Sequence, residues 1–69
     1  MTKLQKVVIH LLSNSWERLD NIARRAGCSQ RALEYWLDGK RVPRDVEIIE
    51  HVIDALGYEI AVRPKKGNR

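Results

Sequence analysis

The chain has 69 residues, a single small domain, and a chain of this size buries only about 60% of its unfolded surface. That excludes a catalytic domain with a deep pocket, a Rossmann unit or a barrel, and leaves a compact helical or mixed module helped by self-association. Thirteen Lys and Arg against nine Asp and Glu give a net charge of +4, which implies an anionic partner, nucleic acid ahead of a membrane surface.

Hydrophobic residues make up 43% of the chain, enough for a core and too many for a disordered tail. One cysteine, Cys28, permits neither an internal disulfide nor a cysteine-based zinc site, and fits a reducing, cytoplasmic setting. The segment from Met1 to Leu12 has no uninterrupted apolar run longer than Val7-Val8-Ile9. It is expected to be neither a signal peptide nor a membrane span.

Leu4, Val7, Val8, Leu11 and Leu12 recur at helical spacing, so residues 3–12 read as a first amphipathic helix. Ser13-Asn14-Ser15 is a turn cluster, and Asn14 with Glu17 has capping-box spacing. Trp16, Leu19, Ile22, Ala23 and Ala26 then line one face of a second helix, with Trp16 in the core or at a dimer edge, and Gly27 ends it.

Ser29 is a good N-cap for a third helix whose apolar stripe is Leu33, Trp36 and Leu37, and Gly39 stops it. Gln30, Arg31, Glu34, Tyr35 and Asp38 fall mostly on the other side. Lys40 to Arg44 is a basic loop, in which Pro43 gives a rigid start to the next helix. Asp45 suits the first turn of that fourth helix, carried by Val46, Ile49, Val52, Ile53 and Leu56 as far as Gly57. Tyr58, Ile60 and Val62 alternate with Glu59, Ala61 and Arg63, a two-residue period that predicts a strand over 58–63. The domain therefore spans 1–64, and 65–69 form a basic tail.

The informative stretch runs from Ile22 to Arg44. Two short helices flank the tight turn Ala26-Gly27-Cys28-Ser29, and the small Ala23 lets them pack closely at a steep angle, the geometry of a helix-turn-helix. Gln30 and Arg31 are side-chain types that read adenine and guanine edges in a major groove. On an isolated helix they would be ordinary solvated residues; within this motif they are candidate contacts.

This stretch resembles the phage repressor and Cro-type (XRE-type) helix-turn-helix family. Ile22-Ala23, the Gly27-Cys28-Ser29 turn, Leu33, Trp36, Asp38-Gly39-Lys40-Arg41, Pro43 and Ala55-Leu56-Gly57 carry the resemblance, which covers residues 15–57. It implies that the third helix enters the major groove. Base-edge roles then fall to Gln30, Arg31 and Tyr35. Glu34 would accept from cytosine or tune Arg31. Phosphate roles fall to Lys40, Arg41 and Arg44, and to Ser29 through its backbone N–H. Tyr35 has two further readings, contact with a thymine methyl or phosphate and mere cover for the helix edge. Cys28 and Tyr35 depart from the family's commonest residue types, so a base preference does not transfer from a relative. The strand stands where many members carry a fifth helix, and is similar to that of the small dimeric Cro-like and HipB-like members.

The expected architecture is thus mostly α: a four- to five-helix, repressor-like domain with one C-terminal β-strand pairing across a dimer. Tyr58, Ile60 and Val62 would form the dimer interface. Residues 45–59 hold five acidic residues and no Lys or Arg, whereas residues 24–44 hold six basic residues (Arg24, Arg25, Arg31, Lys40, Arg41, Arg44) and two acidic ones. The side around the third helix should therefore dock on DNA and the fourth helix face away. Cys28 reads as a small hydrophobe. His10 and His51 lack metal-site spacing and read as surface or boundary residues. No serine has a triad to join, and neither a phosphate-cradling glycine loop nor paired carboxylates occur, so an enzyme is not expected and no cofactor or metal is implied. The expected function is sequence-specific binding of double-stranded DNA, with repression by occlusion of an inverted-repeat operator. The alternative is an antitoxin-type module that binds a toxin protein and autoregulates its operon, with the acidic fourth helix and the dimer edge as its contact faces and only Lys65–Arg69 as a tail.

Overall fold

The computed structural model describes residues 1–61. Four helices follow one another there: α1 Lys3–Ser13, α2 Leu19–Ala26, α3 Gln30–Asp38 and α4 Val46–Ala55. No strand and no fifth helix occur among the described residues. Helices α1 and α2 each pack against both α3 and α4, and the α2–α4 contact is the most extensive.

All four helices feed one core. Val8 and Leu12 come from α1, Ile22, Ala23 and Ala26 from α2, Leu33 and Trp36 from α3, and Ile49, Val52 and Ile53 from α4. Burying each of the larger side chains stabilises the fold by about 1.5–3 kcal/mol. Ala23 and Ala26 are the small residues through which α2 meets its neighbours. No polar or charged side chain is buried among the described residues, so the net charge is displayed at the surface.

Local chemistry sets the helix boundaries. The Ser29 hydroxyl accepts from the Ala32 amide at 3.1 Å and starts α3. At the end of α2 the Cys28 amide donates back to Ala23 and the Gly27 amide to Arg24. Gly27 adopts φ +77°, a left-handed conformation that a side chain would strain. Gly39, at φ +76°, closes α3 in the same way, through Gly39 to Trp36 and Lys40 to Tyr35. These two turns fix the direction in which the chain enters and leaves α3.

Several expectations need correction. Asn14 does not cap α2: it is the C-cap of α1, its amide donating to the His10 carbonyl and the following Ser15 amide to that of Leu12. The expected box with Glu17 fails because the turn is longer than Ser13–Ser15. Helix α2 starts only at Leu19, behind Arg18, which supplies no side-chain cap. Trp16 consequently lies outside the helix and is 97% exposed, not in the core. Val7 and Val46 are also exposed, at the edges of their stripes. Asp45 is the N-cap of α4, its carboxylate accepting from the Glu47 and Ile48 amides. Helix α4 ends one residue before Leu56, with the Tyr58 amide donating back to Ile53 and that of Gly57 to Asp54.

Residues 58–61 form no strand. Strand hydrogen bonds need a second strand, and the described residues of one chain contain none to offer. Tyr58 and Ile60 remain 54% and 41% exposed. Val62 and Arg63, the rest of the expected strand, lie outside the described residues, as does the tail over 65–69.

Candidate nucleic-acid interface

Helix α3 has nine residues, about 13.5 Å at 1.5 Å each, against a major groove about 12 Å wide. One side of it is fixed in the core by Leu33 and Trp36. The opposite side presents Gln30, Arg31 and Glu34, all exposed. Gln30 Nε2 donates to Glu34 Oε2 at 3.1 Å, one helical turn away. Glu34 thus tethers Gln30 rather than Arg31, which leaves the guanidinium of Arg31 without an ion-pair partner among the described residues.

The basic loop is organised by two residues. Tyr35, half-buried, lies under Lys40 Nζ at 5.9 Å and under the Arg41 guanidinium at 5.5 Å, both measured to the ring centroid, close enough for cation–π attraction. Its carbonyl also accepts from the Lys40 amide at 2.9 Å and from the Arg41 amide at 3.3 Å. Tyr35 is therefore a platform for the two cations, a position absent from its expected alternatives.

The second organiser is Gln5, which sequence reasoning passed over. Its Oε1 accepts from the Thr2 amide at 2.6 Å, while the Thr2 hydroxyl accepts from the Gln5 amide at 3.2 Å. Its Nε2 donates to the Pro43 carbonyl, and Pro43 itself is fully buried. The Thr2-x-x-Gln5 spacing is a legible capping box; the reach to Pro43 is tertiary and had no local signal.

Lys40, Arg41 and Arg44 are exposed and form no ion pair among the described residues. They rim an open groove of about 520 Å³ whose floor is Ala32, Trp36 and Ile48. Cys28 is part of its wall, and burial pushes the Cys28 thiol above its ordinary range, so the inert, protonated form is favoured at neutral pH. Ser29 stands at the N-terminal end of α3 with its hydroxyl engaged in capping.

Not every cation grouped with α3 by sequence belongs there. Arg25 turns away: its guanidinium holds Glu17 at 2.5 and 2.7 Å and the Ala55 carbonyl at 2.7 Å. It ties the turn before α2 to the C-terminal end of α4. The Arg25 hydrogen bond holds the Glu17 carboxyl below its ordinary range, and the Arg25 guanidinium is raised in return. Arg18 pairs with Asp20 at 3.1 Å, and this hydrogen bond lowers the Asp20 carboxyl. Arg24 donates to Asn21 at 2.5 Å. The cations without a carboxylate partner around α3 thus reduce to Arg31, Lys40, Arg41 and Arg44, with Arg24 at the margin. On the other side, Glu47, Glu50 and Asp54 are exposed along α4.

The described residues contain no group of three or more His, Cys, Asp and Glu able to hold a metal ion, and no helix long and apolar enough to cross a membrane. No family model, no curated protein and no solved structure matches the chain.

Proposed function

We propose that this chain is a sequence-specific double-stranded DNA-binding transcription regulator of the repressor type. One observation carries the reading. The exposed side of α3 offers Gln30 and Arg31 at its start, and its far end leads into a loop whose three cations have no carboxylate partner among the described residues, Lys40 and Arg41 lying over Tyr35 and Pro43 being bonded by Gln5. In this reading Gln30 and Arg31 meet base edges, with Arg31 bidentate to guanine. Glu34 holds Gln30 in register. Lys40, Arg41 and Arg44 neutralise phosphates, and the N–H groups at the start of α3, behind Ser29, face a phosphate as well. The acidic face of α4 is repelled from the duplex and points outward.

The working unit is a homodimer, with residues 58–63 pairing as antiparallel strands about a two-fold axis. Such pairing gives the backbone groups of Tyr58, Ile60 and Val62 their partners and covers an otherwise exposed apolar edge. Two recognition helices related by that axis meet successive major grooves about 34 Å apart, so the operator is an inverted repeat. Binding-site selection from a random duplex library with the purified chain tests this reading. Enrichment of one inverted repeat supports it; recovery of unselected sequence overturns it.

A further inference from the structure

Trp16 is the most anomalous side chain among the described residues: 97% exposed, although tryptophan is the largest apolar group available. An aromatic side chain buries about 150–250 Å² when it finds a partner, and buried aromatics are the residues that dominate interface energetics. Trp16 does not stand on a flat surface. With His10, Leu11, Asn14, Ser15, Leu56 and Tyr58 it lines a recess of about 280 Å³ where the C-terminal ends of α1 and α4 meet.

We propose that this end of the molecule is where a second copy of the chain docks, with Trp16 of each protomer buried against Leu11, Leu56 and Tyr58 of the other. The inference rests on the dimeric reading above and extends it from residues 58–63 to the α1–α4 end. Charge is the reason for choosing a second copy as the occupant. Around a two-fold axis a surface faces itself, so any net charge on it meets the same charge. The α3 side fails that test, because Arg31, Lys40, Arg41 and Arg44 would oppose cations. The exposed side of α4 fails it too, because Glu47, Glu50 and Asp54 would oppose carboxylates. Among the described residues the recess lining carries no carboxylate, ammonium or guanidinium group, the His10 imidazole being its one basic group, and neighbouring Glu17 is already paired with Arg25. Of the three surfaces, as the described residues present them, it alone sets no carboxylates and no lysine or arginine side chains against their own image.

Position argues the same way. The N-terminal ends of α1 and α4 meet the basic loop, through Gln5 on Pro43 and through Asp45. The recess lies at their opposite ends, one ten-residue helix away, about 15 Å. Docking there leaves the basic loop and α3 of both copies uncovered. Tyr58 belongs at once to the recess and to the segment expected to pair, so the two contacts are continuous.

The test is sedimentation equilibrium of the full chain and of Trp16→Ala, with circular dichroism to monitor folding. Trp16 contributes nothing to the buried core, so the variant keeps the helix content of the parent, and the two share an unfolding midpoint at dilutions where both are monomeric. The parent is expected to dimerise at micromolar concentration. Trp16→Ala is expected to weaken the dimer by at least about tenfold, as loss of an interface anchor does, while affinity of a single protomer for a half-site stays unchanged. A parent that remains monomeric overturns both the dimer and this interface. A parent that dimerises while Trp16→Ala dimerises equally well overturns the interface alone. If Trp16→Ala breaks the dimer but the parent shows no sequence preference on DNA, the interface stands and the DNA reading falls.

Discussion

Replacing Gln5 tests how the basic loop is held, and the structure allows its two bonds to be separated. In Gln5→Ala the Thr2 amide loses its acceptor at the start of α1, and the Pro43 carbonyl loses its donor. Weakening a helix cap costs about 0.5–1 kcal/mol at the lower end of the usual range. The second loss adds about 1 kcal/mol for a partly buried hydrogen bond. The expected sum is about 1–2 kcal/mol, or a melting-temperature drop of roughly 5–15 °C in a domain this small. Gln5→Glu keeps an acceptor for Thr2 but turns a carboxylate oxygen toward the Pro43 carbonyl, so it isolates the second bond at a cost of about 1 kcal/mol or more. Urea unfolding followed by circular dichroism measures both variants, with a constant m-value as the check that only stability changed. Both variants should also loosen Lys40–Arg44 and lower DNA affinity by more than lost stability explains at temperatures where they remain folded. If neither moves the urea midpoint, or if Gln5→Glu binds DNA as the parent does, then Gln5 does not hold the loop.

The remaining predictions concern reading, positioning and pH. Arg31→Ala should cost roughly 1–3 kcal/mol on the selected site and relax preference at one base pair; an equal loss on random duplex would make Arg31 a phosphate contact only. Neutralising Lys40, Arg41 or Arg44 singly should make the slope of log K against log salt shallower by about 0.9, with base preference intact, and a triple variant with the parent slope would remove the loop from the backbone contacts. Glu17 titrates below its ordinary range in the folded chain because Arg25 donates to it. The unfolded chain therefore takes up that proton first, and the stabilisation is complete above the ordinary carboxylate range. It is lost as pH falls through the lowered folded value. Glu17→Gln should accordingly flatten the acid limb of the stability–pH curve relative to the parent, and an unchanged limb would show that the pair contributes nothing.

The helices and their stops were legible because their signals are local. Leu33 with Trp36, and Ile49 with Val52 and Ile53, fall at helical spacing and are buried together. Gly27 and Gly39 stand where the chain needs positive φ. Ser29 caps α3 as its residue type suggests. Trp16 misled because its spacing to Leu19 imitates a core stripe. What decides its fate is the length of the turn through Arg18, which periodicity does not encode. Arg25 misled because net charge counts residues and not directions: its partners, Glu17 and the Ala55 carbonyl, are eight and thirty positions away. The same holds for Gln5 and Pro43, 38 positions apart, a contact that exists only once α1 has packed beside the loop. The alternation over 58–63 describes a face without naming its partner, and a single chain supplies none among its described residues.

The central claim is that α3 and the loop after it form the surface that reads DNA. Titrating the ¹⁵N-labelled chain with its selected duplex, and following each backbone amide by NMR, tests that directly. The account predicts the largest shifts at Ser29–Tyr35 and Lys40–Arg44, with Glu47, Glu50 and Asp54 of α4 nearly unmoved. Shifts centred on α4, or spread evenly over the surface with no difference between selected and random duplex, would contradict it.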